Sequence, residues 1–221
     1  MNLVTAIIVA AGEGKRFGSS KQFALLRGKP ILDWSIEKLA AHPEVDEIVV
    51  VLPDENRKEE FFRRWKKLGA VTSGGPRRQD SVRRGFEQVD ARKTELVLIH
   101  DGVRPLLSRD IITRVIAAAR RSGAAIPAVP VEDTIKEVSQ GEVVRTLDRQ
   151  RLYRIQTPQG FSYSILEGAL RRAKEEGYYG TDEAGLVERL GHKVVVVEGD
   201  PCNIKVTTPA DLKIAEALLE H

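Results

Sequence analysis

The sequence predicts a three-layer α/β/α domain built on a mostly parallel, Rossmann-like sheet. Three observations carry that reading. Short apolar runs rich in Val, Ile and Leu alternate with amphipathic stretches along the whole chain. The runs are apolar throughout rather than at every second position, the pattern of strands covered on both faces. The chain has 221 residues, 42% of them hydrophobic, enough for one sizeable core.

The elements follow in order. Strands are expected at Leu3–Val9, Glu47–Leu52, Leu96–His100, Ala124–Val129 and Lys193–Glu198. Helices are expected at Ile31–Ala41, Asn56–Leu68, Gln79–Val89, Arg109–Arg121, Tyr163–Glu176, Asp182–Leu190 and Pro209–Leu219. One segment breaks the alternation. Thr134–Val138 and Val143–Leu147 flank the polar connection Ser139-Gln-Gly-Glu142, which reads as a β-hairpin. Its strands hold too few apolar residues to pack as a core, and a lone hairpin is marginal in water. Residues 132–150 are therefore expected to protrude as an arm that a second subunit orders. The rest of 1–221 shows no internal repeat or linker and is expected to be one domain.

Composition excludes several classes. The single cysteine, Cys202, rules out an internal disulfide and a cysteine metal cluster. His42, His100, His192 and His221 lack metal-ligand spacing. Leu3–Val9 has no basic region before it, unlike a secretion signal, and no uncharged stretch reaches membrane-spanning length. A cytoplasmic protein without membrane contact is expected. The net charge is only +3, and the pairs Arg77-Arg78, Arg83-Arg84 and Arg171-Arg172 are scattered, so nucleic acid is not an expected partner.

The first strand runs into Ala10-Ala11-Gly12-Glu-Gly14-Lys15-Arg16, with Lys21 shortly after. Glycines let backbone N–H groups approach a phosphate chain, and the cations neutralise it. The dinucleotide pattern G-x-G-x-x-G is absent, because Gly18 falls one place too late, and the Walker A spacing is absent too. A second block, Ser73-Gly74-Gly75-Pro-Arg-Arg-Gln-Asp80-Ser81-Val82, offers Asp80 or Ser81 as a helix cap and room for a flat base beside the glycines. In the third, Leu98-Ile-His-Asp101-Gly-Val-Arg104-Pro105, a lone Asp at the carboxyl edge of the sheet can hold Mg²⁺ or can pair with Arg104. His100 reads as structural. Three further blocks are Thr146-Leu-Asp-Arg149 with Gln156-Thr157-Pro-Gln-Gly160, then Tyr178-Tyr-Gly-Thr181-Asp-Glu-Ala184, then Asn203-Ile-Lys205-Val-Thr-Thr-Pro209. Thr181-Asp-Glu also has the form of a helix start, with acids complementing the dipole. Lys205 lies among apolar neighbours, where a lysine calls for an edge or an anionic partner.

In this order and spacing the blocks resemble the 2-C-methyl-D-erythritol 4-phosphate cytidylyltransferases of the non-mevalonate isoprenoid pathway, from Ala10 to Leu219. Where that family often has Asp-Ala-Ala-Arg, this chain has Asp101-Gly-Val-Arg104 and keeps both charges. The resemblance implies CTP, methylerythritol phosphate and a divalent cation. It implies that Arg16 and Lys21 contact the CTP phosphates, with Ala10, Ala11, Gly12 and Gly14 giving backbone contacts. It implies a cytosine pocket around Gly74, Gly75, Asp80 and Ser81, and Asp101 as the Mg²⁺ ligand. Arg104, Thr134, Arg149, Thr157, Thr181 and Lys205 would cradle the second substrate. Arg16, Lys21, Lys205 and Arg149 would form the catalytic clamp, and the arm would hook around a partner in a homodimer. Two rivals stand beside this reading. A sister enzyme acting on ribitol 5-phosphate differs only in its polyol pocket. A non-catalytic CTP sensor would have no use for the Arg149, Thr181 and Lys205 set and would release no pyrophosphate.

Overall fold

The computed structural model describes residues 2–14, 17–18, 20–53 and 64–219. Its core is an eight-stranded sheet. Strands β1 (Leu3–Val9), β4 (Glu47–Leu52), β5 (Leu68–Ser73) and β6 (Thr94–Asp101) pair in parallel in the order β6-β1-β4-β5. Beyond β6 comes the short strand β11 (Gln159–Ser162), antiparallel to β6 and to β7 (Ala124–Pro130). The strand β10 (Tyr153–Ile155) also runs antiparallel to β7. Ala125 pairs with both Gly160 of β11 and Val195 of β12 (Val195–Glu198), so β12 lies on the far edge of β7, in parallel. The sheet is thus parallel apart from the β10 and β11 segment. Two small antiparallel pairs stand off it: β2 (Leu25–Leu26) with β3 (Lys29–Pro30), and β8 (Lys136–Ser139) with β9 (Glu142–Thr146).

Six α-helices complete the fold of the described residues: α1 (Ile31–Ala40), α2 (Arg78–Phe86), α3 (Arg109–Ser122), α4 (Tyr163–Glu175), α5 (Glu183–Arg189) and α6 (Pro209–Leu218). Side chains alternate across each strand, which splits the core into two layers. Ile8, Val50 and Leu98 face Ile36 of α1 and Ile112 and Val115 of α3. Ile7, Val49, Val97 and Phe161 face Val82 and Phe86 of α2, Leu170 of α4 and Val187 of α5. This two-sided burial is why the central parallel strands β1, β4 and β6 are apolar on both faces over most of their length. A third cluster of Leu26, Ile31, Val103, Val206 and Ala215 ties α6 to the end of the sheet where β1 and β6 finish.

Helix ends follow local chemistry. Ser108 caps α3 by accepting from the Ile111 amide, and Gly123 ends it in the left-handed region at φ 81°. Thr208 caps α6, with Asp211 accepting from the Thr207 and Thr208 amides.

Several expectations need correction. The helix expected over Asn56–Leu68 falls mainly on residues 54–63, outside the described residues, and Leu68 itself opens β5. Strands β5, β10 and β11 escape the sequence reading because they are short or half-buried and carry Gly, Ser, Thr and Arg. The last strand begins at Val195, not Lys193. The hairpin is present, but Gln140 and Gly141 alone make its turn. Both have positive φ, 51° and 87°, the form that suits the strand twist and that a four-residue connection would not require.

Phe161 is fully buried where β11 meets the helical layer. Phe161→Ala should lower the unfolding free energy by about 3–5 kcal/mol in urea denaturation. A loss under about 1 kcal/mol would mean that the layer closes over the gap.

Candidate active site

The site forms where β1, β5 and β6 end. Val9 and Asp101 are direct neighbours in register, so the loops after β1 and β6 leave the sheet at one level. The first loop is held at its start by the Ala10 amide on the Val51 carbonyl, and it turns at Gly14, φ 69°. Across from it, the loop after β5 packs hard against the first. A Cβ on Gly74 would sit 2.1 Å from the Ala11 Cβ, and one on Gly75 would sit 2.4 Å from the Asp80 Cβ. Only glycines permit this approach. The Gly75 amide donates to the Ser81 hydroxyl at 3.1 Å, and Arg84 donates to the Gly74 carbonyl at 2.6 Å, which fixes the loop to α2.

Asp101 lies on the cleft floor and is almost fully buried. Three cations from separate segments meet it. Arg78 Nε is 3.2 Å from Oδ1, Lys205 Nζ is 2.8 Å from Oδ2, and Arg104 Nε is 3.6 Å from Oδ2. Burial opposes ionisation, yet the Arg78, Lys205 and Arg104 charges hold the carboxyl far below the usual carboxylate range. Arg78 also donates from Nη1 to both Glu183 oxygens, at 2.9 and 2.8 Å. Burial works against the Arg78 charge, but Glu183 and Asp101 more than offset it and keep the guanidinium protonated.

A set of buried amides positions these groups. Gln156 grips Asp200 twice, accepting from its amide at 3.1 Å and donating to its carbonyl at 2.7 Å. Asn203 donates to the Thr157 carbonyl at 3.0 Å, and Arg104 Nη1 donates to the Asn203 carbonyl at 2.7 Å. The segment carrying Lys205 is thereby tied to the end of β6. The Thr157 hydroxyl accepts from the Asp101 amide at 3.1 Å and lies 3.1 Å from His100 Nδ1.

The resulting cleft encloses about 410 Å³. Of the residues expected at the site, Ala10, Ala11, Gly12, Gly14, Lys21, Gly75, Ser81, Asp101 and Lys205 line it. Gly74 and Asp80 form the wall behind them. Arg104 and Thr157 are buried behind Asp101 and brace it rather than face the cleft. Thr134, Arg149 and Thr181 are exposed and outside the lining, and Arg149 bonds the Glu132 carbonyl at the base of the arm. Arg16 lies outside the described residues. The structure adds Arg78 and Glu183. Both sit inside recognised blocks, but Arg77-Arg78 reads as one of several basic pairs and Glu183 as a helix-start acid. The fold separates the pair: Arg77 stacks on Tyr179 at 3.8 Å, while Arg78 enters the cleft.

His100 is fully buried, and burial pushes its pKa down to about 4, partly countered by Asp101. The folded state therefore keeps it neutral where the unfolded chain already takes up a proton. Stability from this group should fall as pH drops from 6.5 to about 4, by roughly 3 kcal/mol. Urea unfolding at pH 7 and pH 4.5 should show a smaller acid loss for His100→Asn than for the wild type. Equal losses would contradict a neutral buried imidazole.

The comparisons with known proteins agree with this geometry. The family model for 2-C-methyl-D-erythritol 4-phosphate cytidylyltransferase (IspD) matches residues 4–221. The protein of that name from Syntrophus aciditrophicus is 47% identical, over 98% of this chain and 96% of its own length. The one from Bacillus mycoides is 45% identical over 98% of each chain. Among solved structures, the Thermus thermophilus enzyme of the same name superposes with a TM-score of 0.82 at 38% identity over all of both chains. A 4-diphosphocytidyl-2C-methyl-D-erythritol synthase from Anaerococcus prevotii gives 0.88 at 31% identity, over all of this chain and 97% of its own. With a family model matched over almost its whole length and its glycine loops, Asp101 and Lys205 gathered in one cleft, the chain belongs to the 2-C-methyl-D-erythritol 4-phosphate cytidylyltransferase family.

Proposed function

We propose that this chain joins CTP to 2-C-methyl-D-erythritol 4-phosphate, forming 4-diphosphocytidyl-2-C-methyl-D-erythritol and pyrophosphate. The observation that carries the reading is the ring of cations about Asp101, opening onto two glycine loops, in a member of that family. An oxygen of the substrate phosphate attacks the α-phosphorus of CTP. The new P–O bond forms as the bond to the β-phosphate bridging oxygen breaks, and pyrophosphate carries away that electron pair. The attacking phosphate is already anionic, so no general base is required. The obstacle is repulsion between two polyanions and the charge that gathers on the α-phosphate oxygens.

The residues divide that work. Gly12, Gly14 and the neighbouring alanines bring backbone to the triphosphate, and the Gly74–Ser81 loop takes the cytosine. Lys21, Lys205 and Arg16 clamp the phosphates and offset the charge that gathers on them. Among the described residues no cluster of three His, Cys, Asp or Glu could hold a metal alone. Asp101 nonetheless fits Mg²⁺, which takes one or two carboxylates and completes its shell with phosphate oxygens and water. When bound, the ion offsets phosphate charge.

Thr134 and Arg149 lie outside the lining of their own cleft, and the arm between them shows Val138, Val143 and Val144 to solvent at 56–61%. These features support a homodimer in which each arm reaches the other protomer and brings Thr134 and Arg149 to its second substrate. No helix among the described residues is long and apolar enough to cross a membrane, which accords with a cytoplasmic enzyme.

Pyrophosphate release with CTP and Mg²⁺ tests the reading. Release is expected with methylerythritol 4-phosphate. Release with ribitol 5-phosphate alone would move the activity to the sister reaction, and release with neither would favour another acceptor or a CTP sensor. Arg16→Ala, Lys21→Ala and Lys205→Ala should each lower turnover by about 10²-fold or more with the fold intact. A folded Lys21→Ala variant with near-normal turnover would defeat the electrostatic account. Deleting Thr134–Leu147 should give monomers in sedimentation, and a deletion that stays dimeric would place the interface elsewhere.

A further inference from the structure

Among the described residues, six buried side-chain atoms able to form hydrogen bonds form none: Gln22 Nε2, Ser35 Oγ, Trp65 Nε1, His100 Nε2, Arg104 Nε and Asn203 Oδ1. Of these six residues, Gln22 is the one that lines the cleft. It is 1% exposed, so its amide nitrogen has left bulk water without gaining a protein partner. A buried donor in that state costs free energy, and an apolar side chain of the same length would fill the space without that cost. A ligand that enters the cleft and accepts the bond would explain why a glutamine stands there.

The backbone beneath Gln22 is fixed. Lys21–Phe23 forms a single 3₁₀ turn after the first loop. The Phe23 amide donates to the Ser20 carbonyl and the Ala24 amide to the Lys21 carbonyl, both at 3.0 Å. The Ile31 amide donates to the Ala24 carbonyl at 3.0 Å, which ties the turn to the start of α1. Phe23 packs against the core layer that holds Leu32 and Ile36. One anchored turn thus delivers both Lys21 and Gln22 to the cleft. The charges there favour an anion. Among the described residues, Lys21, Arg77, Arg78 and Lys205 share the lining with two acids, Glu13 and Asp101. Asp101 is already engaged by Arg78, Lys205 and Arg104. The amide nitrogen of glutamine only donates, so an acceptor oxygen must complete it, and the surplus of cations selects an acceptor that carries negative charge. A phosphate oxygen meets both demands.

We propose that Gln22 is a further phosphate-binding residue of this cleft: its Nε2 donates to an oxygen of the CTP phosphate chain, beside Lys21. The inference rests on the reading of the cleft as a CTP site and deepens it. It adds to the cations and the loop backbone a neutral donor, which orients a phosphate oxygen without adding charge.

Calorimetric titration with CTP and Mg²⁺ tests it, on wild type, Gln22→Met and Gln22→Glu, beside thermal unfolding of each protein without ligand. Met keeps the length of Gln and removes the unmade donor. Ligand-free Gln22→Met should therefore melt about 2–4 °C above the wild type. It should also bind CTP about tenfold more weakly, the scale for one lost hydrogen bond to a charged acceptor. A merely structural glutamine would not move the two readings in opposite directions. Glu keeps the shape but presents acceptor oxygens to the phosphate, so Gln22→Glu should bind CTP more weakly still. A Gln22→Met protein that melts no higher than the wild type would show that the ligand-free fold uses the amide, and would overturn the proposal. So would near-wild-type CTP affinity in Gln22→Met. A Gln22→Glu protein that binds CTP as well as the wild type would place a nucleotide hydroxyl at this point and overturn the assignment to phosphate. A wild type that binds no CTP would overturn the CTP reading and this inference together, whereas variants that match a CTP-binding wild type would overturn this inference alone.

Discussion

The site depends on one buried carboxylate. Asp101 can stay ionised in the protein interior only while cations stand against it, and those cations come from α2, from the turn after β6 and from the segment before α6. In sequence they are separated by as much as the distance from Arg78 to Lys205. The fold therefore has to deliver three remote segments to one point. The parallel register does most of this. Because Val9 pairs with Asp101 and Leu52 with Ser73, the loops after β1, β5 and β6 all emerge at the carboxyl edge. That edge is where open α/β sheets bind ligands, and here the reason is visible in the pairing itself.

Legibility in the sequence tracks how local each signal is. Strands β1, β4, β6 and β7 are buried on both faces, so apolarity alone reveals them. Strand β11 is held by pairing with β6 and β7, and only Phe161 within it hints at burial. Its strand character is a tertiary effect that no local pattern carries. The site divides in the same way. The glycine loops, Lys21, Asp101 and Lys205 stand in local motifs. Arg78 and Glu183 are 105 residues apart in the chain, and their bond becomes visible only when α2 and α5 share a face of the sheet.

Thr157 and Arg104 show a different limit. Each belongs to a motif of the site, yet each is buried and braces Asp101 from behind. A motif records that a residue matters to a site without saying which side of the reacting groups it occupies. Supporting groups leave the same trace as contacting ones, because a preorganised site requires both.

The balance of charge explains how such a site can wait for its substrates. Fixed cations repel one another, and gathering them in a cleft without counter-ions would strain the fold. Asp101 and Glu183 supply the counter-charge in the ligand-free protein, two acids against Arg78, Arg104 and Lys205. One positive charge is left over in this cluster, before Lys21 across the cleft is counted. An arriving polyanion therefore enters a field already set in its favour. It can draw the half-exposed Lys205 away from Asp101, while Arg78 and Arg104, held by Glu183 and the Asn203 carbonyl, keep their places. Preorganisation here is a division of the cations into those the protein holds and one the substrate can recruit.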